Sequence, residues 1–473
     1  MEINDKNYLT RKNKFCFAAS GFGQNLIGAT VNSYLMFFMT HITAIGYFAT
    51  TVIMFIAKTI DAFNDPFMGV VVDKTHSRMG KLRPYLLAAP IPLALVTVLM
   101  FVVPGFERPG RIAYIAMLYV LWDIFYTIGD IPFWSSPAAM TPNPKERVKF
   151  ITFSRLFHSA GGALPLLLLP LTEIFCGAKT KESYLAVAVI SGVVGGALYM
   201  LAFFGTTERV VSSAASPSVK ECFRYLFRNK PLLVVVLANV LGFGRALRTV
   251  AGLYLTTYLC HDMPSFMTPA LGNTFMMAGF AVSGVLSMLF TPMVVKKYNY
   301  RTITWACCVL GITGDLILLA VGLSAGCSIY LLLGVQTITG MAYGMACNVN
   351  YAMISESIDY LEWKEGARAE GVSISMQTLM NKLVGAIQSG VMPMLMLLVG
   401  FIEPTENNPS PPQTDGALQG LLIVVCVVPV IGWILTAVCM KFYDFVGEKR
   451  EKIYAELYEQ RKNSSEVRVL DIA

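Results

Sequence analysis

Residues 207–231 read TERVVSSAASPSVKECFRYLFRNKP. This is the longest internal polar stretch, and it carries Arg209, Lys220, Arg224, Arg228 and Lys230. The sequence on either side is apolar. Six runs precede it (15–40, 44–72, 84–104, 112–138, 150–173 and 184–206) and six follow it (232–259, 268–293, 302–322, 328–356, 371–402 and 416–441). Each is long enough for a spanning helix, which needs about 20 mostly apolar residues. Strands of a membrane barrel are about 10 residues long and alternate in polarity; these runs do neither. The pattern predicts an all-α membrane protein of twelve transmembrane helices. Residues 1–206 form an N-terminal six-helix bundle, 207–231 a cytoplasmic linker, 232–441 a C-terminal six-helix bundle and 442–473 a cytoplasmic tail.

Composition agrees. The chain of 473 residues is 55% hydrophobic and 14% charged, with a mean hydropathy of +0.58; an ordinary soluble domain carries about 25% charge. That excludes most soluble enzymes, disordered chains and nucleic-acid binders. The ten cysteines form no CxxC pair and sit mostly in apolar runs, so they read as small hydrophobes. Four scattered histidines make no metal site. The first apolar run is too long for the core of a cleaved signal peptide and should stay as a span.

Charge placement sets orientation. Of the 37 Lys and Arg residues, 28 fall in residues 1–14 and 441–473 and in the segments 73–83, 139–149, 207–231, 294–301 and 357–370. The opposite-side loops hold only Arg108, Arg111, Lys179 and Lys181. By the positive-inside rule both termini face the cytoplasm, which requires an even number of spans. The plasma membrane, as the inner membrane of a bacterium, is the expected location. No GxxxxGK[ST] stretch is present, so no ATP site is expected.

The polar residues inside the runs carry the chemistry, because a charge at the bilayer centre costs about 2.5–3.5 kcal/mol or more. KTIDAFNDP (58–66) holds Lys58, Asp61, Asn64 and Asp65. Asp61 and Asp65 share a helix face, with Asn64 adjacent. Two carboxylates and an amide oxygen suit a hard monovalent cation, or a proton; alternatively Lys58 neutralises one Asp in a structural pair. The fourth run holds Asp123, Thr127, Asp130, Pro132 and Trp134. A carboxylate beside an indole can take sugar hydroxyls while the ring stacks on the sugar's C–H face; the bland alternative is an interfacial tryptophan. Gln24 and Asn25 follow a flexible GFG (21–23) and can bind hydroxyls or join helices. Arg155 in the fifth run and Lys382 in the eleventh need acidic partners. GFGRALRTVAG (242–252) places Arg245 and Arg248 three apart, where a planar fork suits carboxylate, sulfonate or phosphate. Pairing with Asp315 is the internal alternative.

Three stretches carry a resemblance: DAFNDPFMGVVVDKTHSRMGKLRPY (61–85), YTIGDIPFWS (126–135) and ISESIDYLEWKEGARAEGVSISMQTLMNK (354–382). Together, and in span order over the whole chain, they resemble the glycoside–pentoside–hexuronide:cation symporters, the melibiose-permease-like branch of the major facilitator superfamily. The resemblance implies the major facilitator fold, no enzymatic activity and no cofactor beyond a coupling Na+ or H+. It implies a cation site on Asp61, Asn64, Asp65 and Thr127, with Lys58 and Lys382 as charge partners. It implies a sugar site on Asp130, Trp134 and Arg155, helped by Gln24 and Asn25. Lys74, Arg78, Lys81 and Arg83 look like the superfamily's cytoplasmic gate motif. The expected partners are a small sugar, a monovalent cation and the lipid bilayer, with no nucleic acid and a functional monomer. Melibiose-permease-like members have Lys–Asp where this chain has Gln24–Asn25, which puts an α-galactoside in doubt. With the Arg245/Arg248 pair, that departure favours an anionic or otherwise different sugar. The rival is a same-fold carrier of a non-sugar organic anion held by Arg245 and Arg248.

Overall fold

A computed structural model describes residues 8–75, 77–141, 143–177, 180–209, 224, 226–260, 262–365, 370–404 and 411–470. At 62–63, 65–66, 69–70, 73–74, 370–379 and 461–470, among others, only the backbone is described. Most of the linker therefore lies outside the described residues, as do the side chains of Asp65 and Lys74.

Helices cover every expected apolar run. They are α1 (Arg11–Phe37), α2 (Tyr47–Lys74), α3 (Arg83–Ala88), α4 (Pro90–Met100), α5 (Arg108–Met140), α6 (Pro144–Cys176), α7 (Lys181–Gly205), α8 (Lys230–Leu241), α9 (Leu247–Tyr258), α10 (Pro269–Val295), α11 (Tyr300–Ala325), α12 (Ile329–Glu365), α13 (Glu370–Leu398), α14 (Asp415–Lys441) and α15 (Gly447–Leu470). Among the described residues, eight helices are long and apolar enough to cross a membrane, or nine if the bent pair α8–α9 counts as one span. In α1 and α13 polar residues interrupt the apolar run: Gln24, Asn25 and Asn32 in one, Asn381, Lys382 and Gln388 in the other.

The chain divides into two compact units. Unit 1 comprises Met1–Ser216, Pro264–Thr274 and Ser389–Ala417; unit 2 comprises Pro217–Met263, Phe275–Gln388 and Leu418–Ala473. Both are discontinuous in sequence.

In unit 1, α1 lies against α6 and α7. The glycines expected to make it flexible are fully helical and instead allow close packing. A Cβ on Gly23 would stand 2.4 Å from the Gly195 carbonyl oxygen, and one on Gly161 would stand 2.1 Å from that of Phe22. Thr10 starts α1 with a reciprocal cap: its hydroxyl accepts from Asn13 N–H, and the Asn13 side chain accepts from Thr10 N–H. In unit 2, α8 and α9 meet at a 50° bend. The bend falls at Gly242 and a 3-10 turn, Phe243–Ala246. Breaking a helix frees backbone groups that must find partners. Here Arg245 Nε donates to the Gly242 carbonyl at 2.9 Å, and the Gln388 amide reaches the Phe243 carbonyl.

Candidate substrate and cation sites

The unit 1 cluster is built by α1, α2, α5 and α6. Burial brings Gln24 (0% exposed) against Asp130, with Nε2 donating to Oδ1 at 2.7 Å. Two turns of helix hold the rest of the α5 set. Thr127 donates from Oγ1 to Asp61 Oδ1 at 3.1 Å, and Asp123 pairs with Lys58 at 3.2 Å. Lys58 thus neutralises Asp123 rather than sitting directly on Asp61, while Asp61 remains within its field. Its ammonium also lies 5.5 Å from the Tyr119 ring centre, a favourable cation–π position. Tyr126 stands within electrostatic range of Asp61, Lys58, Asp123 and Asp130 together. Asp61 and Asp123 thus flank the Lys58 ammonium, and Asp130 lies on the same side of α5 with Tyr126 in range of all of them.

Trp134 lies one turn past Asp130. The Arg155 guanidinium sits 5.5 Å from its ring centre, and His158 packs against it edge-on at 5.3 Å. Arg155 is exposed and makes no ion pair with a described residue, so the expected pairing with the acidic cluster is not among the contacts. Asn25 is turned away from Asp130: Nδ2 donates to the His158 carbonyl at 2.7 Å, and His158 Nδ1 donates to the Gly21 carbonyl at 3.1 Å. Of the two α1 amides, Gln24 reaches the carboxylate and Asn25 joins α1 to α6. Asn64 Nδ2 is buried without a partner among the described residues. Lys382 is half-buried on α13.

Two of the gate-motif residues, Lys81 and Arg83, bind Glu208 through their backbone, together with Leu82. The N–H groups of Lys81, Leu82 and Arg83 donate to the Glu208 carboxylate at 2.9, 2.8 and 3.2 Å. Gly80 makes this possible, since its φ of +105° disfavours other residues and a Cβ there would collide with Glu208. The Arg83 guanidinium lies 4.5 Å from the Phe203 ring centre, and Arg78 is exposed.

In unit 2 the two arginines part company. Arg245 is consumed locally: besides Gly242, Nη2 donates to Asn239 Oδ1 at 2.9 Å, which also accepts from Asn350. Its guanidinium lies 5.4 Å from the Trp433 ring centre. Arg248 Nη2 lies 2.6 Å from Asp315 Oδ1, with side-chain exposures of 3% and 0%. The same Nη2 donates to Thr339 Oγ1 at 3.0 Å. The internal partner foreseen for this pair is in place for Arg248 alone.

Asp123, Tyr126, His158 and Glu208 were not assigned from sequence. Lys58 and Asp61 share a helix face, and Asp123 is spaced to share a face with Asp130; together these were the available signal for the Lys58–Asp123 pair. Nothing in the sequence signals Glu208 as a backbone anchor.

Residues 16–446 match the family described as MFS/sugar transport protein. The chain is similar to an isoprimeverose transporter of Lactiplantibacillus pentosus, at 30% identity over 98% of this chain and 95% of that one. It is similar to a putative sulfoquinovose importer of Escherichia coli (strain K12), at 27% identity over 98% and 97%. In fold it is similar to the solved nucleoside transporter NupG, with a TM-score of 0.65 at 13% identity over 92% of this chain and all of that one. The chain belongs to the MFS/sugar transport protein family and is a multi-pass membrane transporter, not an enzyme.

Proposed function

We propose that the protein is a secondary active symporter that couples sugar uptake to an inward flow of Na+ or H+ by alternating access. The sugar is a glycoside, pentoside or hexuronide. The observation that carries this reading is the paired arrangement on α5. Asp130 faces Gln24 beside Trp134, and one turn earlier Thr127 holds Asp61 within an acid-rich cluster. The first half offers a carboxylate, an amide and an indole for a sugar. The second offers hard carboxylate and hydroxyl oxygens for a monovalent cation.

Asp61, Asn64, Asp65 and Thr127 take the cation; Lys58 and Lys382 tune the charge. Gln24, Asp130, Trp134 and Arg155 take the sugar, and Asn25 positions α1 against α6. Cation loading offsets the carboxylate charge and lowers the cost of occluding it, so the two ligands favour each other. The twelve spans form two six-helix bundles around the 207–231 linker, with both termini in the cytoplasm. The transporter works as a monomer in a bacterial inner membrane.

The test is uptake into proteoliposomes under an imposed Na+ or proton gradient. Asp61→Cys or Asp65→Cys should abolish accumulation while the protein still folds; gradient-driven accumulation by both variants would overturn the cation assignment. The second reading is a carrier of a non-sugar organic anion held by Arg245 and Arg248. It draws on the buried arginines of unit 2, and unchanged transport in Trp134→Ala would favour it.

A further inference from the structure

The polar interior of unit 2 contains an imbalance that the sugar and cation reading leaves unused. Arg248 is 2% exposed, and its contacts all run through Nη2, to Asp315 and Thr339. Its Nε and Nη1 are buried with no partner. Gln336 Oε1 is likewise buried without a partner among the described residues. Gln336 lies three residues before Thr339 on α12 and so shares its face. Trp433 stands beside Asp315, and a Cβ on Gly311 would meet its ring. Arg245, by contrast, has its fork committed to Gly242 and Asn239.

A guanidinium and a carboxylate kept only for structure would gain most from the two-pronged fork, in which two parallel N–H groups meet two oxygens. The single-point contact through Nη2 leaves its neighbour on each edge of the guanidinium, Nε and Nη1, unmet in a place where buried donors are costly to leave so.

We propose that Arg248, flanked by Thr339 and Trp433, is an anion site of unit 2 for one carboxylate or sulfonate group. Asp315 is its resident counter-ion, which the ligand's anion displaces or supplements. The ligand class is an organic anion with a planar carboxylate or a tetrahedral sulfonate; once Asp315 gives way, Nη2 together with either Nε or Nη1 presents two parallel N–H donors to it. Arg248, not Arg245, decides whether anionic cargo is accepted. Both side chains are sealed from solvent here, so the site opens only when the surrounding helices part. The inference rests on the second reading above, narrowed from two arginines to Arg248, and does not require the sugar site of unit 1.

Thermal unfolding of the purified full-length protein tests it, with three probes: an alkyl sulfonate, an alkyl carboxylate and a neutral alkyl glycoside. Asp315→Asn removes the competing carboxylate while keeping its shape. It should bind at least one of the two anions about tenfold or more tighter than the unaltered protein, the factor one charge-assisted contact supplies. The double variant Arg248→Gln/Asp315→Asn, which leaves no unpaired charge to unfold the bundle, should lose that stabilisation. The neutral glycoside should stabilise all three proteins alike. If neither anion binds Asp315→Asn more tightly, or if the double variant responds to anions as Asp315→Asn does, the inference is wrong, and stabilisation by the glycoside would leave the sugar reading standing. If anions act through Arg248 and the glycoside stabilises none of the three, the sugar reading fails and the anion site stands.

Discussion

The two units handle charge inside the membrane in opposite ways. Unit 1 gathers acids: Asp61 and Asp123 at Lys58, and Asp130 at Gln24, with Asp130 half-buried. Unit 2 gathers bases, Arg245 and Arg248, and seals them with Asn239, Thr339 and Asp315. An acid-rich cluster with a partly accessible rim can recruit a cation from outside the protein. A base-rich interior must supply its own counter-charge, because an unpaired buried ion is far costlier than a paired one. The difference separates a carboxylate-rich cluster with an accessible rim from a sealed arginine–carboxylate pair.

The largest expected effect tests that pair. Asp315→Ala leaves Arg248 buried without its counter-ion and should destabilise the protein by about 3–5 kcal/mol, the usual cost of breaking a buried pair. Removing both charges with Arg248→Met/Asp315→Leu should cost far less, since well-packed apolar replacements of buried pairs are often neutral. Denaturation midpoints in detergent measure both. Equal losses in the single and double variants would mean that unit 2 treats its pair no differently from ordinary core.

Asp130→Asn probes the acid-rich side. It keeps the shape and the contact to Gln24 but removes the charge that would take sugar hydroxyls. A hydrogen bond to a charged group is worth about 1.5–3 kcal/mol, so affinity for the transported sugar should fall about ten- to a hundredfold. Arg248→Gln should leave the affinity for a neutral sugar unchanged. Calorimetric titration of both variants distinguishes the two units directly.

Much of this contrast was legible in the sequence. Apolar length located helix over every expected run, and the cost of intramembrane charge singled out Asp61, Asp130, Arg245 and Arg248. What periodicity leaves out is direction across helices. Lys58 could have met Asp61 or a carboxylate on another helix, and only the packing of α2 on α5 chooses Asp123. Gln24 and Asn25 are neighbours of similar chemistry, yet successive residues point about 100° apart on a helix. One meets Asp130, and the other meets the His158 carbonyl. The GFG stretch gave the wrong impression for a related reason. Glycine signals either freedom or close approach, and only the presence of α7 at Gly195 identifies the second.

Close approach offers the next test, of smaller size. Gly23→Ala in unit 1 would drive a methyl into the backbone of Gly195 and Tyr199, and Gly311→Ala in unit 2 would drive one into the Trp433 ring. Overpacking costs about 1–3 kcal/mol. Alanine's better helix propensity returns up to about 1 kcal/mol of that. The first contact is with backbone, which cannot rotate away, so Gly23→Ala should destabilise more than Gly311→Ala, where an indole can tilt. The reverse order of denaturation midpoints would place the tighter crossing in unit 2.

The smallest effects lie towards the ends of the apolar runs, where each unit ties down a carboxylate differently. In unit 1, Glu146 accepts from the backbone N–H groups of Tyr8 and Leu9 and from the Thr141 hydroxyl, with Lys14 at 3.6 Å. Burial pushes its pKa up, but these donors outweigh it and hold the carboxyl below its ordinary value of 4.5. In unit 2, Glu356 accepts from Arg450 Nε at 2.9 Å and also meets Nη2 and the Tyr300 hydroxyl. Arg450 is 41% exposed on its side chain. A carboxyl with a depressed pKa contributes stability that is complete above its unfolded value and is lost as pH falls through its folded value. Glu146 should therefore support unit 1 at neutral pH and release the N-terminal segment only below about pH 4.5. Glu146→Gln should cost about 1 kcal/mol at pH 7, with little change when salt is raised, because most of its donors are dipoles rather than ions. Glu356→Gln should cost a similar amount at low salt and measurably less in 1 M salt, where screening acts over about 3 Å and reaches a half-exposed arginine. Stability measured at two salt concentrations and two pH values separates the clamps. A salt-sensitive Glu146 effect would mean that Lys14 rather than the backbone holds it.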